Sequence, residues 1–443
     1  MNVDGALRRT VLAGGDVFDG LSDSVSPADI AIQGERIVSI GSDLDGDDLV
    51  DVSGMTLLPG LFDCHVHVSV SSVDVVEMLN QPFSLQFFLA MVNLRRTLDC
   101  GITMVRDAGG ADLGIKEAVA RGIIDGPDLQ ISITALGQTG GHTDNWYPCG
   151  VTVPAELLEH PGRPDGIVDG VDSMRRKVRE VARAGADVIK VCTTGGVLSP
   201  RDNPHHSHFS PAELDVLVEE AARLGLWVMA HSQGAAGIKA SVKAGIRSIE
   251  HGIYLDEESV ALMKQKGAWL VPTLSAPLAV IAAADAGAQL PPPALEKAEE
   301  AVMRHRESFK MALQAEVRIA MGTDSGVGPH GSNLHELTLM NEYGMPAPAV
   351  LKAATSSAAE LLGVEESRGS LTVGKLADVV AVKGSPLDLP GLRQSISMVY
   401  KRGRLVALAG ARAAGDGVSS SDAPAFARER VFESSALERR GIA

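Results

Sequence analysis

Six residues of this sequence carry side chains that could together hold metal ions. They are four histidines, one lysine and one aspartate: His65, His67, Lys190, His231, His251 and Asp324. Each lies at or near the end of a short apolar run typical of a β-strand, as in LFDCHVHV, DVIKVCT and LWVMAHS. Imidazole and carboxylate groups bind divalent ions such as Zn²⁺, which can activate water. The set predicts a hydrolytic centre with two metal ions.

The first two histidines form an H-x-H pair. Residues two apart in a strand point to the same side, so His65 and His67 can present nitrogen atoms to one cation. Taken alone, such a pair is equally compatible with two packed or solvated histidines. His231 and His251 near two further strand ends, and Asp324 at the last one, make a metal site the better interpretation.

Lys190 is the unusual member of the set. An ammonium group cannot ligate a metal, and an unpaired charge inside a protein is costly. Either Lys190 pairs with a carboxylate, for which Asp324 is the candidate, or its amine has reacted with CO2. The resulting carbamate is an anion with two oxygens, which could bridge two divalent ions. We favour the carbamate.

The elements that must position these residues alternate between strand and helix patterns over residues 59–365. Eight strand-like runs are predicted at 61–66, 102–107, 129–136, 187–193, 226–232, 248–252, 269–273 and 318–325. Between them lie helical patterns, one of which begins with Ser210 as N-cap, Pro211 and Glu213 and ends at Gly225. Eight such units predict an α/β protein with a (β/α)8 TIM barrel, whose active site lies at the carboxyl ends of the strands.

The two flanking segments have a different sequence pattern. Short runs of alternating apolar and polar residues are separated by Gly, Asp and Pro. We predict that residues 1–58 and 366–410 form one small β-sandwich domain from both chain ends. Residues 411–443 are predicted to be a C-terminal tail.

The composition excludes several functional classes. A formal net charge of -16 without a basic cluster argues against nucleic acid and anionic membranes as partners. The N-terminus has no apolar core of signal-peptide length, and no apolar stretch of the chain has the length of a membrane span, which favours a cytoplasmic location. The four cysteines lack a C-x-x-C pair, so neither a disulfide scaffold nor a zinc ribbon is indicated.

The complete set of motifs resembles the amidohydrolase superfamily, specifically its binuclear members. The resemblance rests on the H-x-H pair in strand one, the lysine in strand four, the histidines in strands five and six, and the aspartate in strand eight. The flanking segments, including GSLTVGKLADVVAV, are similar to the small β-sandwich of that family. The resemblance therefore covers nearly the whole chain.

The resemblance implies a ligand set and a reaction. One ion would be held by His65, His67, carboxylated Lys190 and Asp324, and the second by the other carbamate oxygen, His231 and His251. A metal-bridging hydroxide would attack the amide, and Asp324 would pass its proton to the leaving nitrogen. Zn²⁺ is the expected ion, although the donor set also suits Mn, Fe and Co.

Loops after the predicted strands supply candidate substrate contacts. His142 in GGHTDNWYP and Tyr254 in HGIYLD could bond a substrate carbonyl or carboxylate, or they could simply pack their loops. Glycine permits close approach of a ligand, and arginine pairs with carboxylates. The further candidates are therefore Gly195, Gly196 and Arg201 in the loop after strand four. The histidines of the loops after strands four and eight are added because of their position: His205, His206, His208 and His330.

The loops TGGH, TTGGVLSP and HGIYLD resemble the branch that contains Xaa-Pro dipeptidases and related metal-dependent carboxypeptidases, itself related to imidazolonepropionases. This implies cleavage of an amide that joins an acyl or aminoacyl group to a C-terminal amino acid, as in a dipeptide or an N-acyl amino acid. The alternatives are a cyclic amide, against which Lys190 argues, a bulky N-aryl-acyl amino acid or carbamate, or a non-enzymatic scaffold. The resemblance also implies a homo-oligomer.

Overall fold

The computed structural model describes residues 7–152 and 158–408 of the chain. The tail predicted at 411–443 lies outside the described residues. The strands, in chain order, are β1 (Arg9–Ala13), β2 (Asp16–Val17), β3 (Ser26–Pro27), β4 (Asp29–Gln33), β5 (Arg36–Gly41), β6 (Asp48–Asp51), β7 (Met55–Pro59), β8 (Leu61–Val66), β9 (Ile102–Asp107), β10 (Asp128–Ile131), β11 (Ala135–Leu136), β12 (Val188–Cys192), β13 (Trp227–Gly234), β14 (Ser248–Tyr254), β15 (Trp269–Val271), β16 (Arg318–Ile319), β17 (Val379–Lys383), β18 (Ile396–Lys401) and β19 (Arg404–Leu408).

Helices follow most strands of the middle region. They are α1 (Val75–Asn80), α2 (Leu85–Asp99), α3 (Leu113–Ala120), α4 (Val171–Arg183), α5 (Pro211–Arg223), α6 (Ala235–Ala244), α7 (Glu257–Lys266), α8 (Ser275–Asp285), α9 (Ala294–Gln314), α10 (His335–Glu342), α11 (Ala347–Ala353), α12 (Ser356–Leu362) and α13 (Leu392–Ser395). In the described ranges, none of them has both the length and the apolar character needed to cross a membrane.

Helix α5 shows how the sequence sets the bounds of these elements. Ser210, the predicted N-cap, forms a capping box with Glu213 in the first turn, and Gly225 follows the end of the helix with φ +71°. The side chains that the helix buries are spaced three or four residues apart, because only one stripe of the helix faces the sheet. They are Leu214, Val216, Leu217, Glu220 and Ala221.

The strands of the middle region are all parallel. They form a three-stranded sheet of order β10-β9-β8 and a six-stranded sheet of order β11-β12-β13-β14-β15-β16. Strands such as β8, β9 and β12 are buried along their whole length, as expected for parallel strands covered on both faces. Their continuous apolar runs are the reason that the sequence predicted them.

Two predicted strands differ from the structure. The run at 129–136 is divided into β10 and β11, with Ile133 between them at φ +70°. The run at 318–325 is a strand only over β16, and Asp324 adopts φ +61°. The left-handed backbone of Ile133 turns its peptide groups out of the ladder and divides the first run, whereas β16 ends at Ile319, before Asp324 is reached.

The first and last parallel strands lie beside each other. Cys64 N–H donates to Met321 O at 2.9 Å, Asp324 N–H donates to His65 O at 2.7 Å, and Val66 forms a parallel bridge with Ser325. Hydrogen bonds therefore join β8 to the segment after β16, while β10 and β11 belong to separate sheets. These contacts are compatible with the predicted (β/α)8 barrel, whose closure stays a prediction.

Both ends of the chain contribute to one sheet. Strand β7 pairs antiparallel with β17 inside a six-stranded sheet of order β19-β18-β17-β7-β2-β3, and a four-stranded sheet of order β5-β4-β1-β6 accompanies it. One buried cluster contains residues of both sheets, including Leu12, Ile30, Leu57 and Val379. The predicted joining of the two ends is thus present, while the division into a sandwich domain and a barrel domain stays a prediction.

Candidate metal centre

The Nε2 atoms of His65 and His67 both face one carboxylate oxygen, Asp324 Oδ1. Their Nδ1 atoms have other partners. His65 Nδ1 lies 2.8 Å from Glu250 Oε2, and His67 Nδ1 lies 2.9 Å from Gly109 O. A carboxylate and a carbonyl only accept hydrogen bonds, so each Nδ1 carries a hydrogen and each neutral ring keeps its lone pair on Nε2. The Nε2 atoms of His65 and His67 lie 3.4 and 3.2 Å from Asp324 Oδ1.

This convergence fits a divalent ion. With hydrogen on both Nδ1 atoms, neither Nε2 can donate to Asp324 Oδ1, so three electron-pair donors face one another, and a cation between them would remove their repulsion. One ligand atom each from His65, His251 and Asp324 lies within 4.8 Å of the others. Imidazole and carboxylate donors in this number suit Zn²⁺ and similar ions.

Two of these residues have an unusual backbone. His251 and Asp324 adopt φ +73° and +61°, in the left-handed region that side chains rarely occupy. Such conformations cost of order 1–3 kcal/mol each and persist where the surroundings hold them. His251 is held by a 2.7 Å bond from its Nδ1 to Thr273 Oγ1, and Asp324 by its N–H bond to His65 O.

His231 and His251 continue the row of rings. Ring centroids lie 5.0 Å apart for His65 and His251, and 4.6 Å apart for His251 and His231. Burial is the main reason that the pKa of each of His231 and His251 lies well below the usual range, which keeps both rings neutral. His231 Nε2 lies 3.2 Å from Gly195 O and donates to it, so Nδ1 is left for a cation.

Lys190 lies at the same place on the neighbouring strand. It belongs to β12, is 2% exposed, and is in register with Met229 of β13 and Ala135 of β11. In the ranges 7–152 and 158–408 it makes no ion pair within 4.0 Å, so the pairing with Asp324 that the sequence left open is not found. Lys190 is thus a buried lysine near the proposed histidine ligands, without a carboxylate within 4.0 Å in those ranges.

All six predicted ligands line one cavity. Its other walls are largely apolar, as is usual for small-molecule sites. Side chains that follow β8 form one wall (Val70, Val73, Val75, Met78), and side chains of α8 form another (Ala276, Pro277, Val280). The structure thus brings together residues that are far apart in the sequence.

His142 is the one predicted substrate-contact residue that lines this cavity. Its ring stacks on that of His231, with centroids 4.1 Å apart and planes 19° apart. Gly196 lies against the ring, and a Cβ built there would come within 2.2 Å of His142 Cε1. Gly196 itself contributes backbone contacts rather than lining atoms.

The structure places the remaining candidates away from the cavity lining. The Tyr254 ring packs on exposed His205 at 4.2 Å, and Arg201 is exposed with its guanidinium 5.5 Å from the Trp146 ring centre. His330 is buried, with Nε2 3.2 Å from the carbonyls of His67 and Val70. His206 is exposed and His208 is buried beside Gly141.

Sequence reasoning missed the buried ion pair behind the predicted ligands. Glu250 binds both His65 Nδ1 and Arg106 NH2, the latter at 2.9 Å. Burial would raise the pKa of Glu250, but Arg106 and His65 outweigh it and lower the pKa to about 2. The signal was present as charged residues inside apolar strand runs, ITMVRD and SIEHG, since such residues are seldom buried without a partner.

Two further contacts of His251 gave no signal in the sequence. Thr273 bonds its Nδ1, and His305 of α9 places Nε2 2.8 Å from its backbone carbonyl. Both residues come from elements that approach His251 only in the folded chain. Burial lowers the pKa of His305 to about 4, so this ring is neutral at pH 7.

Comparison with known proteins adds independent evidence. The model of the amidohydrolase family matches residues 56–407. An ochratoxinase of Aspergillus niger is 35% identical over 418 residues, covering 89% of this chain and 86% of that protein. A crystal structure of a Xaa-Pro dipeptidase with methionine in its active site is 33% identical, with a TM-score of 0.82 and coverage of 90% of this chain and 99% of that one.

A third relative is a prolidase crystallised with N-methylphosphonate-L-proline. It is 34% identical, with a TM-score of 0.81, and the match covers 90% of this chain and all of the other. These relatives extend over the residues that carry the cavity and the flanking sheets. The protein belongs to the amidohydrolase family.

Proposed function

We propose that this protein is a binuclear metal-dependent hydrolase that cleaves the C–N amide bond of a dipeptide of the Xaa-Pro type or of an N-acyl amino acid. Family membership makes it a hydrolase acting on amide bonds. The observation that carries the finer proposal is the convergence of the His65 and His67 Nε2 lone pairs on Asp324 Oδ1, beside His251, His231 and Lys190.

The proposed ligand set follows the positions of these side chains. His65, His67 and Asp324 would hold one ion, and His231 and His251 would hold the other. Lys190, carboxylated by CO2, would supply an anionic ligand. The absence of an ion pair at Lys190 within the described residues supports the carbamate, because an anion there balances the charge of the ions. Zn²⁺ is the proposed metal.

Bound ions of this kind lower the pKa of water and polarise a carbonyl. Asp324 lies where it can accept the proton of the attacking water and return it to the leaving nitrogen. His142 stands over His231 at the cavity wall, where a hydrogen bond to the substrate would orient the scissile amide. Tyr254 lies outside the lining and is not part of this assignment.

The cavity supports a substrate with an apolar portion. Its walls of Val, Met, Ala and Pro side chains would bury an apolar side chain or acyl group. The relatives named as a Xaa-Pro dipeptidase and a prolidase favour a dipeptide. The apolar walls also favour a second candidate, a bulky N-aryl-acyl amino acid or carbamate.

The test begins with the metal content of the purified protein, followed by a panel of dipeptides and N-acyl amino acids. We expect two divalent ions per chain and release of free amino acid from at least one member. Lys190→Ala should lose both ions, with partial rescue of activity by short carboxylic acids. Lys177→Ala, which removes another buried lysine that pairs with Asp165 outside the cavity, is the matched control.

Two results would overturn the proposal. One ion per chain in the fully loaded protein would contradict the binuclear centre. A metal-loaded protein that releases amino acid from no member of the panel would contradict the substrate class.

A further inference from the structure

A buried polar cluster of Ser199 and Asp202 lies against His142 Nδ1, and Ser199 also lines the cavity. His142 Nδ1 lies 2.8 Å from Ser199 Oγ, and Ser199 Oγ forms a very short hydrogen bond with Asp202 Oδ1. The second oxygen, Asp202 Oδ2, lies 3.7 Å from His142 Nδ1. The Asp202 side chain is only 4% exposed, and Asp202 is not among the cavity-lining residues.

The loop that carries this cluster is fastened at several points. Gly196 N–H donates to both oxygens of Asp202, at 3.3 and 3.2 Å. Lys297 of α9 donates to the carbonyls of Gly196 and Ser199, each at 2.9 Å, and to Asp202 Oδ1 at 3.3 Å. Residues 196–202 are therefore held as one unit against His142.

The hydrogen atoms of the cluster can be assigned by elimination. Ser199 has one hydroxyl hydrogen, and its partners besides His142 are Asp202 Oδ1 and the Gly196 carbonyl, which lies at 3.1 Å. Both of these groups only accept, so the hydroxyl hydrogen goes to one of them. Toward His142 the hydroxyl must then accept, which places a hydrogen on His142 Nδ1.

We propose that Ser199 and Asp202 are positioning residues that hold the His142 imidazole in its Nδ1–H form, so that Nε2 is the nitrogen offered to the substrate. A hydrogen bond at one ring nitrogen sets the chemistry of the other. The described residues provide no hydrogen bond to His142 Nε2. The stacking on His231 and the contact with Gly196 fix the plane of the ring, and Ser199 fixes its rotation.

The role in catalysis rests on the proposed function, and the hydrogen position does not. The kinetic test compares Ser199→Ala and Asp202→Asn with the parent enzyme, each also in a His142→Gln background. Because loss of a residue that orients an active-site histidine typically costs about 10- to 100-fold in activity, we expect that loss in kcat/KM with unchanged metal content. Ser199→Thr, which keeps the hydroxyl, should restore most of it.

In the His142→Gln background neither change should lower kcat/KM further. Equal losses in both backgrounds would show that Asp202 acts independently of His142 and would overturn the proposal. The control is Asp165→Asn. Asp165 pairs with Lys177 outside the cavity, so this change also removes the carboxylate partner of a lysine, but away from His142. It should leave kcat/KM unchanged.

A spectroscopic measurement needs no substrate. Protein labelled with ¹⁵N-histidine gives the hydrogen position from the Nδ1 and Nε2 shifts of His142, assigned by their absence in His142→Gln. With the ring neutral, we expect hydrogen on Nδ1 in the parent protein and a mixture of both forms in Ser199→Ala. Hydrogen on Nε2 in the parent would overturn the proposal, whereas an inactive substrate panel with the expected shifts would overturn only the proposed function.

Discussion

Gly196 controls the position of His142 at the scale of a single residue. A Cβ at this position would lie 2.2 Å from His142 Cε1 and 2.5 Å from Nδ1, so Gly196→Ala must displace the ring. A displacement of about 1 Å near a reacting group can cost 100-fold, and we expect a loss of that order in kcat/KM. Metal content should not change, since the atoms nearest to a Cβ at Gly196 all belong to His142, which is not a proposed metal ligand.

The control for this change is Gly41→Ala, where the nearest atom to a new Cβ is Leu44 Cδ2 at 3.8 Å. It should behave as the parent protein. Full activity of Gly196→Ala would contradict the placement of His142 beside the reaction.

Glu250 matters because it connects a proposed ligand to a buried arginine. Glu250→Gln removes the anion that orients His65 and neutralises Arg106. Loss of such outer partners typically lowers metal affinity or activity about 10- to 100-fold, and the same is expected here. Competition with a chelator measures the affinity. Glu220→Gln, which also loses an arginine partner but lies outside the cavity, should bind metal normally.

At the scale of elements, the apolar runs predicted strands β8, β9 and β12 closely, because buried parallel strands are continuous in hydrophobicity. They could not predict where strands three and eight stop. Strand three is interrupted at the left-handed Ile133, and Asp324 adopts the same conformation beyond the end of strand eight; an isoleucine or aspartate in an apolar run carries no sign of that conformation. Tertiary contacts, such as the bonds to His65 O, hold them there.

The candidate site, like the strands, could be predicted from the sequence only in part. The predicted ligands were visible because histidine pairs and a lysine at strand ends are rare without a purpose. In the loop after strand four the sequence favoured Arg201, yet its neighbour Asp202 carries the buried contacts. Charge alone does not tell which of two adjacent residues faces inward, because a loop has no fixed period.

One element contact is expected to depend on pH. Asp128, at the start of β10, pairs with Arg368, Lys401 and Arg402 at 2.7 to 2.9 Å. Burial would raise the pKa of Asp128, but the three cations hold it well below the usual range. The stability that this shift supplies is present above the unfolded pKa of about 3.9 and is lost as pH falls toward the folded value.

Asp128→Asn should therefore lower the free energy of unfolding at pH 7 by about 3 kcal/mol, the cost of breaking a buried pair. The difference in the free energy of unfolding between the variant and the parent should become smaller below about pH 4, as measured by chemical unfolding. Asp125→Asn, which removes a half-exposed partner of Arg404, should change stability by less than about 1 kcal/mol at any pH. A gap for Asp128→Asn that stays constant from pH 7 to pH 3 would contradict the assignment.

At the scale of the whole molecule, the proposed ligands connect strands from β8 to the segment after β16. A metal ion that binds these ligands binds only the folded chain. It therefore stabilises the folded state by about 4 kcal/mol when the concentration of free ion is a thousand times the Kd. We expect the Tm to fall on chelation and to rise again with the logarithm of added Zn²⁺. Asp324→Asn should remove most of that response, and an unchanged Tm after complete metal removal would contradict a site that spans the fold.

The contact between β8 and residues 321–325 has a consequence for synthesis on the ribosome. A nascent chain that has emerged as far as residue 300 presents His65 and His67 on a strand with one bare edge, and Asp324 has not yet been made. The partner of β7, at Val379–Lys383, emerges later still. The proposed ligand set is complete only after Asp324 has been made, so metal ions held by all six side chains would bind after that point of synthesis.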